Sequence, residues 1–346
     1  MSKHVYSLIL FAMIFCALTS IQVASSEFEI EIVDALQRHV EIRYPLRRVI
    51  SLVPSLTETL VALDLDEYLV GVDSFSLSDW FINTSERLKS RNAEEVGGYW
   101  WSTIRVEKIL ELNPDLVLAD SLAHKPLLEV FERYNITVFY FSNGRSISDV
   151  YSNIYTVGLI FNKTGEAQNL IEEIEYSLEA AREKLKPYMG TKVIVVVDFW
   201  QGIWVAGKAT YLDDLIARMG LTNVAPVYGW SPVSVEAISN WNPDVIIIAC
   251  PYATEDTVAN SGLLDLNRKI AVLNSTEVDI ISRPGPTLLL APAILHNLIA
   301  RNQPSSFEVK TSSNVSILDT YVKLFALAIT CGAIGYFIGL KRGPKP

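Results

Sequence analysis

The sequence predicts an α/β protein of two similar lobes with central parallel sheets, joined by one long α-helix, with a C-terminal transmembrane helix beyond them. Three observations carry this reading. First, a stretch is written twice: Trp101-Ser102, Glu107 and Asn113-Pro114-Asp115 before an apolar run return as Trp230-Ser231, Glu236 and Asn242-Pro243-Asp244 before another, 129 residues later at each position and without a gap. Second, short apolar runs that lack polar alternation, such as residues 116–119, alternate with helical periods, as strands covered on both faces require. Third, the longest helical period, residues 164–187, lies midway between the copies. It is acidic early (Glu166, Glu172, Glu173, Glu175) and basic late (Arg182, Lys184, Lys186), which suits the helix dipole. It reads as a rigid connector or as a surface helix of one lobe.

The chain has 346 residues, 50% of them hydrophobic and 20% charged, enough for a core in each of two moderate lobes. A net charge of −10 with no basic run outside the termini argues against a nucleic-acid partner, because binding phosphate backbones depends on clustered Lys and Arg.

Residues 1–26 read as a secretory signal peptide, with Lys3 and His4, an apolar run and the small residues Ala24, Ser25 and Ser26. Residues 303–320 read as a polar stalk, 321–340 as a transmembrane anchor of roughly the 20 apolar residues a spanning helix needs, and 341–346 as a basic cytoplasmic tail. The expected protein is therefore single-pass in the cell membrane, with its globular part outside the cytoplasm. Only Cys250 remains outside signal and anchor, so no internal disulfide is expected. Asn83, Asn135, Asn162, Asn274 and Asn314 begin glycosylation sequons.

The N-terminal lobe spans 27–146. It opens on a hairpin (28–33 and 38–42), followed by a strand (48–53), a helix from Pro54 to Leu63, and a strand (68–72). An aromatic loop (73–98) leads to the first copy of the repeat, with a helix over 104–112 and a strand over 116–119. A helix (126–133) and a strand (137–141) complete the lobe. Connecting helices occupy 147–190. The C-terminal lobe, 191–302, contains a strand (192–198), a helix (211–219), the second copy with its strand (245–249), a short helix (262–266), a strand (270–273) and a last helix (287–300).

Trp101 and Trp230 stand in matching loops before a helix. In open parallel sheets ligands sit beyond the carboxyl ends of the strands, where such loops lie. The two indoles are candidates to close on a flat, apolar ligand, or else each packs its own lobe. Phe75, Tyr99, Trp100, Trp200, Trp204 and Tyr228 fall in predicted loops on the same side. Arg283, before the rigid Pro284-Gly285-Pro286 turn, with Glu277 and Asp279, is a candidate to point into the cleft or a plain lead-in to the last helix. Glu107 and Glu236 stand early in their helices with apolar neighbours turned inward. They suit helix-end stabilisation or, as a matched pair, a two-point docking surface for basic residues of a partner. A glycosidase-like pair of carboxylates is the enzymatic alternative, and the solvated setting expected for both glutamates speaks against it. Only His39, His124 and His296 follow the signal, far apart, so no metal site, nucleophile set or phosphate loop is expected.

Together, residues 48–58, the segment from Val70 to Ser74, Gly97-Gly98 leading to residues 107–117, residues 211–216 and residues 282–286 resemble the helical-backbone (class III) substrate-binding proteins of ABC importers for vitamin B12, iron-siderophores and haem. Within that family the cobalamin-binding members are the most similar. The resemblance covers roughly residues 30–300. It implies two Rossmann-like lobes, a corrinoid held between Trp101 and Trp230, and docking of Glu107 and Glu236 on arginines of a permease dimer with its ATPase. It sets Phe75 where the family has a cleft tyrosine. A siderophore or haem is the alternative ligand, and no resident cofactor and no catalysis are implied.

Overall fold

The computed structural model describes residues 28–300. The opening hairpin pairs β1 (Phe28–Val33) antiparallel with β2 (His39–Tyr44), setting Ile30 opposite Ile42. Asp34 makes its turn: its carboxylate accepts from the Leu36 and Arg38 amides at 2.9 and 3.0 Å and pairs with the Arg38 guanidinium at 2.6 Å.

The first sheet contains β3 (Val49–Ser51), β4 (Leu69–Val72), β5 (Glu94–Glu95), β6 (Leu116–Asp120) and β7 (Val138–Phe141), in the order β5-β4-β3-β6-β7 and parallel throughout. Every residue of β6 and β7 is buried, as their apolar runs over residues 116–119 and 138–141 require, and Asp120 at the end of β6 is buried with them. The helices are α1 (Pro54–Ala62), α2 (Thr84–Arg91), α3 (Val106–Leu112) and α4 (Leu128–Arg133). Helix α2 corrects the expected loop over 73–98. Its buried side includes Leu88 but otherwise only Thr84 and Ser85, so it carries no apolar period; Arg87 and Arg91 instead pin it to the buried Asp66.

Helices α5 (Ile147–Ile160) and α6 (Thr164–Lys184) carry the chain to the second sheet. At 21 residues, α6 is about 32 Å long, and it buries Ala167, Leu170, Ile171, Ile174, Leu178 and Ala181 on one stripe.

The second sheet contains β8 (Lys192–Asp198), β9 (Ile203–Ala206), β10 (Thr222–Asn223), β11 (Trp230–Val233), β12 (Val245–Ile248) and β13 (Lys269–Val272). Its order is β11-β9-β8-β12-β13, with β10 beside the start of β8. Strands β8, β12 and β13 are parallel, whereas β9 and β11 each run antiparallel to their neighbour. The expectation of a purely parallel sheet is therefore corrected in this lobe. The cause is the tight turn after Asp198, where the Trp200 amide bonds back to the Asp198 carboxylate and Gln201 and Gly202 take positive φ, so the chain folds straight back.

Helices α7 (Tyr211–Arg218), α8 (Val235–Trp241), α9 (Glu255–Asn260), α10 (Ser275–Ser282) and α11 (Ala291–Ala300) complete the lobe. The helix expected at 262–266 is a single 3-10 turn, and the last helix starts at Ala291 after a 3-10 turn over Pro286–Leu289. On β12 the two faces separate cleanly: Val245 and Ile247 join the main core with the first sheet, α5, α6 and α11, while Ile246 and Ile248 join a second core under α8.

The repeated Asn-Pro-Asp has the same structure in both lobes. Asn113 and Asn242 end their helices in the left-handed region, which asparagine tolerates. The Asp115 amide donates to the Arg48 carbonyl at 2.8 Å while its carboxylate accepts from the Arg48 amide at 2.8 Å. Asp244 does the same to Lys192, with both distances 2.8 Å. Each motif thus staples a helix end to the first residues of the neighbouring strand.

The expected C-terminal transmembrane helix is corrected. No helix among the described residues is long and apolar enough to cross a membrane, and residues 321–340, to which it was assigned, lie outside them. The same holds for the single-pass membrane location. The signal peptide, stalk and tail also fall outside the described residues.

Candidate functional site

A cavity of about 280 Å³ opens between the two sheets. Phe75 lines it from the first-sheet side; Val197, Leu212, Trp230, Ala249 and Pro251 line it from the second, and Val278, Asp279, Ser282 and Arg283 of α10 and its end form the remaining wall. Among them Phe75, Val197, and Ala249 with Pro251 lie at or just past the carboxyl ends of β4, β8 and β12, where ligands of open α/β sheets collect.

Asp73, immediately after β4, sets Phe75. Its carboxylate accepts from the Phe75 and Ser76 amides at 2.9 and 3.1 Å and from the Ser76 hydroxyl at 2.5 Å. Burial pushes the Asp73 carboxyl up to about 6 despite these bonds. The Phe75 ring is left half exposed on the cavity. Trp230 is the first residue of β11, paired in register with Ala206, and is 45% exposed.

The first copy presents its tryptophan differently. Gly97 has φ +125 and a Cβ there would stand 2.3 Å from the Thr103 carbonyl, so only glycine permits the loop to close on itself. Trp100 and Trp101 emerge from this loop 58% and 48% exposed, Trp101 heading a 3-10 turn. The loop rests on His124, fully buried, whose Nδ1 accepts from the Asp120 amide at 3.0 Å and whose Nε2–H therefore donates to the Tyr99 carbonyl at 2.7 Å. Burial lowers the His124 pKa to about 4, and the ring is neutral. Tyr99 packs edge-on against Trp100 and His124, its hydroxyl held well above its usual range by burial and by Asp120.

In the second lobe, Gly207 answers to Gly97: a Cβ would meet the Val227 carbonyl at 2.2 Å. Tyr228 projects beyond it, 75% exposed. Trp204 lies on β9 rather than in the expected loop, because Ile203 to Ala206 pair with β8 and β11, and its Nε1–H donates to the Trp200 carbonyl at 2.8 Å. Trp200 is 64% exposed. Asp198 accepts from both the Trp200 amide and the Tyr252 hydroxyl.

Arg283 is held across the two lobes. Nη1 lies 2.9 Å from Glu58 of α1 and 3.2 Å from Asp79, and Nη2 lies 3.2 Å from Asp279. Glu58 and Asp79 side chains have no exposure. Burial, then the neighbouring Asp79 charge, pushes the Glu58 carboxyl well above its usual range, against the lowering effect of Arg283. Glu58 Oε2 and Asp79 Oδ2 are both buried, and Asp79 Oδ2 is met by the Arg283 guanidinium. Glu277 is turned away from this set: it completes a capping box with Asn274 at the start of α10, both bonds 3.0 Å, and does not line the cavity.

Glu107 and Glu236 are exposed in the first turns of α3 and α8, and neither lines the cavity. The Ser234 side chain holds the Glu236 carboxyl below its usual range.

The structure therefore brings Phe75, Trp230, Asp279 and Arg283 to one cavity. Tyr99, Trp100, Trp101, Trp200, Trp204 and Tyr228 stand on surrounding loops and on β9, outside its lining. Glu58, Asp79, Asp73 and His124, which support Arg283, Phe75 and the Tyr99 loop from within, are positions that sequence reasoning misses. One signal for Glu58 is legible: α1 is apolar or small on nearly every side and buried from Pro54 to Val61, so an acid within it must find a partner.

Two α/β lobes with a ligand-sized cavity between them define a bilobed binding protein. The chain belongs to the periplasmic binding protein family, whose model matches residues 49–266, and this is a family of binding proteins rather than enzymes. It is similar to the uncharacterized ABC transporter substrate-binding lipoprotein YvrC of Bacillus subtilis (strain 168), with 27% identity over 270 residues covering 76% of this chain and 82% of the relative. It is also similar to the vitamin B12-binding protein of Pectobacterium atrosepticum, 26% identical over 253 residues covering 71% and 85%. Among solved structures, the periplasmic heme-binding protein RhuT of Roseiflexus sp. RS-1 in apo form superposes with a TM-score of 0.60 at 23% identity, covering 74% of this chain and 98% of that one. At that identity the likeness is one of fold.

Proposed function

We propose that this protein captures a corrinoid, cobalamin or a close relative, between its lobes outside the cytoplasm and hands it to the permease of an ABC importer. The observation that carries the reading is the cavity between the sheets, walled by Phe75 and Trp230, in a molecule that also leaves Trp100, Trp101, Trp200 and Tyr228 exposed. Wide apolar rings with few polar groups suit a large, flat, amide-edged ligand. The vitamin B12-binding relative supports the ligand class and the substrate-binding lipoprotein supports the transporter. In this reading Glu107 and Glu236, exposed one per lobe, meet basic residues of the permease.

The test is tryptophan fluorescence with cobalamin and cobinamide. Quenching that saturates at micromolar ligand supports the proposal. Saturable binding of haem or a ferric siderophore, with none of either corrinoid, overturns it.

A further inference from the structure

The charges lining the cavity say which edge of a ligand it accepts. Its lining residues include one basic and one acidic side chain, Arg283 and Asp279. The guanidinium is not free for a ligand: Glu58 and Asp79 take Nη1, and Asp279 takes Nη2. With 13% of its side chain exposed, it shows the cavity little more than its edge. Asp279, by contrast, is 39% exposed on the cavity wall. Asp73, fully buried behind Phe75, adds a further acid near enough for Arg283 to act on it. One guanidinium thus stands among Glu58, Asp79 and Asp279, all within 3.2 Å, and no positive charge is left over at the wall. An anionic group entering here loses water, meets no unpaired cation, and approaches the Asp279 carboxylate. An amide loses no charge hydration and can donate to Asp279.

We infer that the cavity is selective by charge, with Asp279 as the determinant: it takes amide- or hydroxyl-edged ligands and rejects ligands that present a carboxylate to this wall. The inference rests on the corrinoid reading for its preferred ligand, but the selectivity is separable from it.

The test compares ligands matched in shape and differing in charge. Cobalamin should bind at least about tenfold tighter than the derivative in which one propionamide is hydrolysed to a carboxylate, a difference of about 1.4 kcal/mol. Asp279→Asn should narrow that ratio to within roughly threefold while cobalamin itself still binds, because an amide there removes the repulsion and leaves Arg283 with less carboxylate around it. Equal affinity of the two corrinoids, or a ratio unchanged by Asp279→Asn, overturns the inference and leaves the corrinoid reading standing. If neither corrinoid binds, the corrinoid reading falls and haem against its dimethyl ester decides: tighter binding of the ester supports selectivity by charge, and tighter binding of haem overturns it.

Discussion

The Arg283 guanidinium reaches from the end of α10 to the fully buried carboxyl of Glu58 on α1, 2.9 Å away and 225 residues earlier in the chain. Removing either partner has unequal consequences. Arg283→Met leaves Asp79 and Asp279 without their cation and should cost about 3–5 kcal/mol of stability in urea denaturation, as for other broken buried pairs. Glu58→Gln replaces a buried carboxyl by a neutral amide of the same shape and should stay within about 1 kcal/mol at pH 5. Because the folded pKa of Glu58 is raised, its contribution is present at low pH and lost as pH rises through that value. The Gln variant should therefore gain on the wild type from pH 5 to pH 8; a constant difference contradicts a raised pKa.

His124 gives the opposite slope. Its folded pKa of about 4 is depressed from 6.5, so the stability it supplies is complete above about 6.5 and is lost as pH falls to about 4. The loss amounts to about 3 kcal/mol across that window. In His124→Asn, the Asn oxygen can take over the bond from the Asp120 amide but does not titrate. The difference between wild type and variant should shrink steadily from pH 7 to pH 4 in parallel thermal melts.

The two tryptophans of the repeat should not be equivalent. Trp230 lines the cavity and Trp101 stands outside it. Trp230→Ala should weaken corrinoid binding by roughly 10–100-fold, the order expected for an aromatic anchor, and Trp101→Ala by less than about tenfold. Titration of intrinsic fluorescence in each variant measures both.

Glu107→Arg with Glu236→Arg should abolish ligand delivery to a permease reconstituted in vesicles while leaving solution affinity within about twofold, since neither residue lines the cavity. A large loss of affinity would place these carboxylates in binding rather than docking.

Much of the fold is legible because burial writes itself into letters. Strands β6, β7 and β12 read as unbroken apolar runs, and α5 and α6 as clear helical periods. The antiparallel strands β9 and β11 are not legible: each has four residues, and their aromatic and proline content reads equally as a cleft loop. Helix α10 does carry a readable start, Asn274 with Glu277 three residues on, but the same glutamate also looks like a candidate for the cleft. The site is less legible than the fold. Phe75 and Trp230 can be picked out as loop aromatics, yet two of the three partners of Arg283, Glu58 and Asp79, come from segments more than 200 residues away, and no local pattern records such a contact.

The two copies of the repeated stretch also differ in how they hold their indoles. Trp230 is locked in the hydrogen-bond register of a sheet, whereas Trp101 rides a single 3-10 turn that leans on one neutral imidazole. A shift of the Trp230 indole therefore has to carry a paired strand with it, whereas a shift of Trp101 moves only one turn, so two halves that share their letters differ in how much of the fold is tied to each ring.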